Sequence, residues 1–202
     1  MYLPPHFEET DAARIAALIS DNPLALIVGQ GPEGMIANHI PVMMQGDDRL
    51  IGHVALANGM HRLLAEGAPV LAVFQGAETY VSPNWYPSKA DTHKAVPTWN
   101  YEVVHIHGTI GFFHEAAEKR RIVSRLTTMM EKRTNGDAAW RMGDAPDDYL
   151  SFMVDNIVGF DIAISRITAK SKKGQNKDAA DRAALAERMQ SAGKPTLAPD
   201  VD

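Results

Sequence analysis

Leu24-Ala25-Leu26-Ile27-Val28 is an apolar run closed by Gly31-Pro32-Glu33-Gly34; Met35 to Gln45 is a second run closed by Gly46-Asp47-Asp48; and Leu50 to Ala55 is a third. Short apolar runs separated by Gly, Pro and Asp read as consecutive strands joined by tight turns, and this succession decides the fold. In the middle run Ile36, Asn38, Ile40, Val42 and Met44 take one side, while Met35, Ala37, His39, Pro41 and Met43 take the other. Both sides are largely apolar, so the strand is expected to be covered on both. Pro41 cannot donate to a ladder, which predicts an edge or a bulge there.

Outward from this core the pattern continues. Upstream, Thr10 reads as an N-cap for a helix carrying Ile15, Leu18 and Ile19, stopped by Asp21-Asn22-Pro23. Downstream, Asn58 reads as the cap of a short helix from Met60 to Glu66, Pro69 to Gln75 and Thr79 to Val81 as strands, and 83–97 as a long loop. Trp99 to Phe113 is β-rich with a bend expected at Gly108 or Gly111. Glu115 to Arg133 is the clearest helix, ended by Asn135-Gly136. A helix over Asp147 to Asp155, an alternating strand over Val158 to Thr168 and a helix over Asp178 to Gln190 follow. Six or seven strands with few helices between them do not read as βαβ repeats. They predict a mainly β protein, an antiparallel barrel with helices packed outside.

Composition excludes several classes. With 20 Lys plus Arg against 25 Asp plus Glu the net charge is −5, which argues against broad nucleic-acid binding. Zero Cys removes disulfides, thiolate metal sites, iron–sulfur clusters and a cysteine nucleophile, and fits a reducing compartment. Met1-Tyr2-Leu3-Pro4-Pro5-His6 has neither the basic nor the apolar region of a signal peptide, and no run is long and apolar enough to span a bilayer. A cytoplasmic protein without a membrane partner is the expectation.

Several constellations could carry chemistry. Gly52-His53-Val54-Ala55-Leu56-Ala57-Asn58-Gly59 joins a strand to a helix start; the pattern alone favours a plain strand end with an Asn cap, and the alternative is a phosphate held by the backbone N–H groups there. His105 and His107 share one face of a strand, as a metal pair or as two hydrogen-bonded histidines, and His39 and His53 admit the same two readings. Trp85, Tyr86, Trp99 and Tyr101 flank the long loop, as walls for a planar ring or as packing at the loop base. Arg166, Lys170, Lys172, Lys173 and Lys177 form a run without an acid, either a phosphate grip or a solvated basic loop. No zincin, Walker, nucleophile-elbow or dinucleotide motif is present.

Taken together, these stretches resemble the PaiB-type FMN-binding negative transcriptional regulators, within the flavin-binding split-barrel superfamily. The resemblance rests on Met1-Tyr2-Leu3-Pro4-Pro5-His6-Phe7, Asn38-His39-Ile40-Pro41, Gly52-His53-Val54-Ala55 with Ala57-Asn58, and Val73-Phe74-Gln75-Gly76. Most specific is Tyr80 to Lys89, followed by Val96-Pro97-Thr98-Trp99-Asn100-Tyr101; next come Val104-His105, Ile157-Val158-Gly159, Gln175-Asn176-Lys177 and Asp181-Arg182. The chain departs from the usual family pattern at Gly59-Met60-His61, at Ala77, and at Lys173-Gly174, where Leu-Ser is usual.

The resemblance implies a six-stranded antiparallel split barrel with peripheral helices, and a homodimer with FMN at its interface. On that reading Asn38, His39, Ile40 and Pro41 lie along the isoalloxazine, and Gly52, His53, Val54, Ala55 and Asn58 lie near the ribityl phosphate. Trp85, Tyr86, Lys89, Trp99, Asn100 and Tyr101 wall the pocket, and Lys172, Lys173, Gln175 and Asn176 close it. The barrel domain is expected over 1–170, a basic segment and C-terminal helix on or near it over 171–193, and a loose tail over 194–202. No catalytic residue and no metal ligand is assigned. The implied function is regulation of gene expression, directly or through a protein partner. A flavin reductase or oxidase and a haem-binding barrel are the alternatives. Direct DNA contact would rest on the basic run and on Lys119, Arg120, Arg121 and Arg125.

Overall fold

The computed structural model describes residues Met1–Val201; Asp202, the end of the tail expected to be loose, lies outside the described residues. The strands are β1 (Glu8–Glu9), β2 (Leu24–Gly31), β3 (Gly34–Gln45), β4 (Arg49–Ala55), β5 (Ala68–Val81), β6 (Thr98–Phe113) and β7 (Ile157–Lys172). The helices are α1 (Ala12–Asp21), α2 (Met60–Leu63), α3 (Ser88–Thr92), α4 (Ala116–Asn135), α5 (Asp147–Asp155) and α6 (Ala179–Ser191). The sheet runs β1-β7-β4-β3-β2-β5-β6, and a further β7–β6 pairing closes it. The expected six strands are the six long ones; the two-residue β1, which pairs Glu8 with Lys170 and Glu9 with Ala169, makes seven.

The chain divides into two compact units. The first holds Met1–Asn22, Phe74–His105 and Thr168–Asp202; the second holds Pro23–Val73 and Ile106–Ile167.

In the second unit β2, β3 and β4 pair antiparallel, as the tight turns dictate. Their inner row, Ala25, Ile27, Ile40, Val42, Leu50 and Val54, is buried. On the outer side Met43 and Ile51 are covered by Ile122 and Leu126 of α4. Each such fully buried aliphatic contributes about 1.5–3 kcal/mol. The rest of the outer face is bare, contrary to the expectation that β3 is covered on both sides: Met35 is 66% and Leu24 58% exposed. Helix α4 ends where Gly136 takes a positive φ of 55°, a turn that glycine adopts without a Cβ clash. Lys119, one of the four basic residues named for DNA contact, is buried and donates to the Ile157 carbonyl at 3.1 Å.

In the first unit the α1 cap is Asp11 rather than Thr10, because the Asp11 carboxylate accepts from the N–H groups of Ala13 and Arg14. The two strands expected at 69–75 and 79–81 belong to one strand, β5. The expected loop at 83–97 folds into a 3-10 turn at Pro83–Trp85 and into α3. Ser82 Oγ caps that turn by accepting from Asn84 N–H, and Asp181 accepts from both Ser88 N–H and Ser88 Oγ. The basic run is largely strand: β7 extends to Lys172, because Ala169 and Lys170 pair with β1 and Ala169, Lys170 and Ser171 are buried. Leu185 and Met189 of α6 pack with Val81, Tyr86 and Leu197. Within the stretch expected to be loose, Pro195–Leu197 forms a 3-10 turn whose Leu197 side chain is fully buried.

Candidate functional site

The β3–β4 ladder runs from Gln45↔Arg49 to Val42↔Gly52 and stops. Beyond that point β3 pairs only with β2, from Pro41↔Leu24 to Gly34↔Gly31, while β4 pairs only with β7, through His53↔Gly159, Val54↔Val158 and Ala55↔Ile157. The two strands therefore fork within the second unit. Pro41, which has no N–H to donate, stands at the branch. Gly52 closes the ladder just below, and a Cβ there would sit 2.7 Å from Phe160 Cζ and 2.9 Å from Val42 Cγ1. Packing against the core therefore requires a glycine there.

The fork's lips carry all nine expected contacts of the second unit. Asn58 Nδ2 donates to Asn38 Oδ1 at 3.0 Å, joining the lips, and Asn58 Oδ1 accepts from Met60 N–H. Asn58 thus bonds the first N–H of α2, but the cap position itself is Gly59, without a side-chain cap, and the helix ends at Leu63 rather than at the expected Glu66; His61 Nδ1 lies 3.0 Å from the Asn58 carbonyl oxygen. Ile40 and Val54 point into the core and offer only backbone, whereas His39, Pro41 and Ala55 are exposed. His53 is half-buried, yet its Nδ1 is fully enclosed and has no hydrogen-bond partner among the described residues. Burial holds its pKa below the ordinary histidine value, so the imidazole is neutral near pH 7.

The other ten expected contacts belong to the first unit. Lys172 Nζ donates to Thr98 Oγ1 and to the Trp99 carbonyl. Burial, then the charges of Lys170 and Lys177, lower its pKa. Lys173 Nζ pairs with Glu102 Oε1 at 3.1 Å. Gln175 accepts from Lys173 N–H and donates to the Ser171 carbonyl, and Asn176 is exposed in the following turn. Lys89 donates to Asn84 Oδ1. Tyr86 is enclosed in the α6 cluster with Trp85 against it, and burial, then Asp181, raises its pKa. Asn100 is buried; its Nδ2 donates to the Leu197 carbonyl at 3.4 Å while its Oδ1 has no partner among the described residues. Trp99 is 52% exposed, edge-on to Tyr80.

Sequence reasoning placed Lys170 in the basic run but missed its enclosure. It is 6% exposed, donates to the Tyr2 carbonyl at 3.1 Å, and lies 5.3–5.9 Å from the ring centres of Tyr2, Phe7 and Tyr101. Such a cage stabilises a buried ammonium by cation–π attraction. The N-terminal motif Tyr2 to Phe7 was the available signal. His107 Nε2 lies 3.0 Å from Arg166. Among the described residues no group of three or more His, Asp or Glu side chains is placed to hold a metal ion. No described helix is long and apolar enough to cross a membrane.

An antiparallel barrel forked between two strands, with peripheral helices, defines the split-barrel class. A family described as "Putative FMN-binding domain" matches residues 1–166, and the chain belongs to it; its cofactor is FMN. The chain is 31% identical over 199 residues to the protease synthase and sporulation protein PAI 2 of Bacillus subtilis (strain 168), covering 96% of this chain and 92% of that one. Two solved structures share its fold. The FAD and heme binding protein from Mycobacterium smegmatis superposes with a TM-score of 0.63 at 19% identity, covering 92% of this chain and 80% of that one. The flavocytochrome Anf3 from Azotobacter vinelandii superposes with a TM-score of 0.61 at 14% identity, covering 88% and 75%.

The residues present fit FMN. A flavin is rich in polar edge atoms, and His53 Nδ1 at the fork is an enclosed polar atom without a partner among the described residues. Burying such an atom unpaired costs about 1–3 kcal/mol, which a ligand hydrogen bond recovers.

Proposed function

We propose that this chain is an FMN-dependent regulatory protein, acting as a homodimer with the flavin seated along the fork, and that it controls gene expression directly or through a protein partner. The observation that carries this reading is the partnerless His53 Nδ1 between lips joined by Asn38 and Asn58. FMN supplies reversible electron transfer at its ring system. The chain's own residues bind and orient it. Neutral His53 offers Nδ1 to a polar ring edge, and the Asn38 amide adds a donor while its oxygen keeps Asn58 in place.

The dimer is supported by the bare outer face of the second unit. Leu24, Met35, Ala37 and Pro41 are exposed there, and Leu26, Val28, Leu71 and Val73 are half-buried. α4 covers the same face at Met43 and Ile51, so a second copy is a fitting cover for the remainder. The name of the Bacillus subtilis relative, a protease synthase and sporulation protein, favours a regulatory output.

The test is the absorption spectrum of the purified protein, followed by an FMN titration of the wild type and His53→Ala. A flavin spectrum and at least about tenfold weaker binding by the variant are expected. A haem band, or equal affinity in the two proteins, overturns the site. Steady NAD(P)H turnover by the flavin-loaded protein would replace the regulatory reading with an oxidoreductase.

A further inference from the structure

We propose that the first unit holds a second ligand site, apart from the fork, for a zwitterion with an aliphatic body: an α-amino acid of the leucine class. The site is a cleft of about 410 Å³ along α1, within the size range of small-molecule sites. One side of it is aliphatic, with Ile15 and Leu18 of α1, Val104 and Ala169, and polar and charged side chains make up the rest. Helix α1 carries one apolar stripe, yet only Ile19 of that stripe is buried; Ile15 and Leu18 remain half-buried against the open cleft. Side chains facing a gap forfeit the dispersion contacts that close packing supplies. An aliphatic ligand body restores them.

The polar side of the cleft selects the head group. Lys173 Nζ and Glu102 Oε1 form an ion pair at 3.1 Å, each side chain 17% exposed, and Ser171 Oγ donates to the same carboxylate oxygen at 3.3 Å. A lone anion approaching Lys173 meets repulsion from Glu102, and a lone cation approaching Glu102 meets repulsion from Lys173. A zwitterion offers each charge its complement at once: ligand ammonium to Glu102, ligand carboxylate to Lys173. No half-buried charge is left unpaired. Arg14, held by Glu9 at 3.6 Å, adds a cation to the lining.

The test is calorimetric titration of the full chain, with and without FMN, using L-leucine, 4-methylpentanoate, which lacks the amine, and 3-methylbutylamine, which lacks the carboxylate. Saturable leucine binding is expected, with both analogues at least about tenfold weaker. Ala17→Trp, which fills the cleft, and Glu102→Gln should each weaken leucine binding by about tenfold or more, with unchanged circular dichroism. Ala17→Trp should leave FMN affinity unchanged. No saturation by about 10 mM leucine, equal binding of either analogue, or displacement of leucine by excess FMN would each overturn the proposal. Leucine is titrated into the full chain both with and without FMN, so failure here leaves the fork reading standing, and the reverse holds as well.

Discussion

The fork of the second unit and the basic strand end of the first are opposites in charge and in availability. The fork carries no lysine or arginine among its expected contacts; its polar side chains are those of two histidines and two asparagines, and one enclosed nitrogen there, His53 Nδ1, lacks a partner among the described residues. The strand end carries Lys170, Lys172 and Lys173, yet each ammonium already donates to a carbonyl or pairs with a carboxylate. Formal charge in a sequence therefore measures what a segment contains, not what it offers. A lone phosphate taking Lys173 would break its contact with Glu102 and leave that carboxylate unpaired, whereas His53 gains a bond that it lacks.

The largest expected effects are on the frames that hold the two regions. Leu197→Ala in the first unit and Ile122→Ala in the second should each lower stability by about 2–5 kcal/mol, measured by urea unfolding. A loss under about 1 kcal/mol for Leu197→Ala would mean that the C-terminal turn is not anchored in solution. Next, sedimentation should show a wild-type dimer at micromolar concentration, and Met35→Glu should weaken it by about a hundredfold, since a charge would replace an apolar contact at the bare face. A monomeric wild type removes the dimer from the reading.

A direct ranking of the two regions comes third. His53→Ala should weaken FMN binding by at least about tenfold, while Lys173→Ala should change it less than about threefold. An inverted ranking would place the phosphate grip on the basic strand end and break the comparison. Smaller still is a pH effect. The His53 pKa is lowered by burial and that of His107 by burial, then Arg166. The unfolded chain therefore takes up protons first as pH falls below the ordinary histidine value of 6.5. Stability should be full above that value and decline below it until the folded pKa values are passed. His53→Gln should flatten part of the decline, seen in urea midpoints at about pH 7.5 and 5.5.

DNA binding should be the weakest effect. Lys119 is buried, Arg120 donates to Ser151 Oγ at 3.2 Å, and the net charge is −5. Mobility shifts over a salt series should show weak, salt-sensitive binding. Promoter binding at least ~10³-fold tighter than random binding near physiological salt would overturn an indirect mode of regulation.

Local features were legible in the sequence because they depend on neighbours along the chain. The turns at Gly31-Pro32-Glu33-Gly34 and Gly46-Asp47-Asp48 separate β2, β3 and β4, and Asn135-Gly136 ends α4. Family motifs carried the cofactor, because residues recurring in fixed order mark membership of an FMN-binding family without any geometry. What only the tertiary structure decided depends on distant partners. Pro41 announced an irregularity, but that β3 and β4 part at Val42↔Gly52 follows from β3 keeping β2 and β4 keeping β7, a choice among pairings far apart in sequence. Lys170 reads as a solvated charge until Tyr2, Phe7 and Tyr101 close around it. Lys173 reads as a free cation until Glu102, on another strand, pairs with it. Residue type fixes a side chain's charge and donors, but burial and partners, which the folded chain alone supplies, determine whether those donors remain open to a ligand.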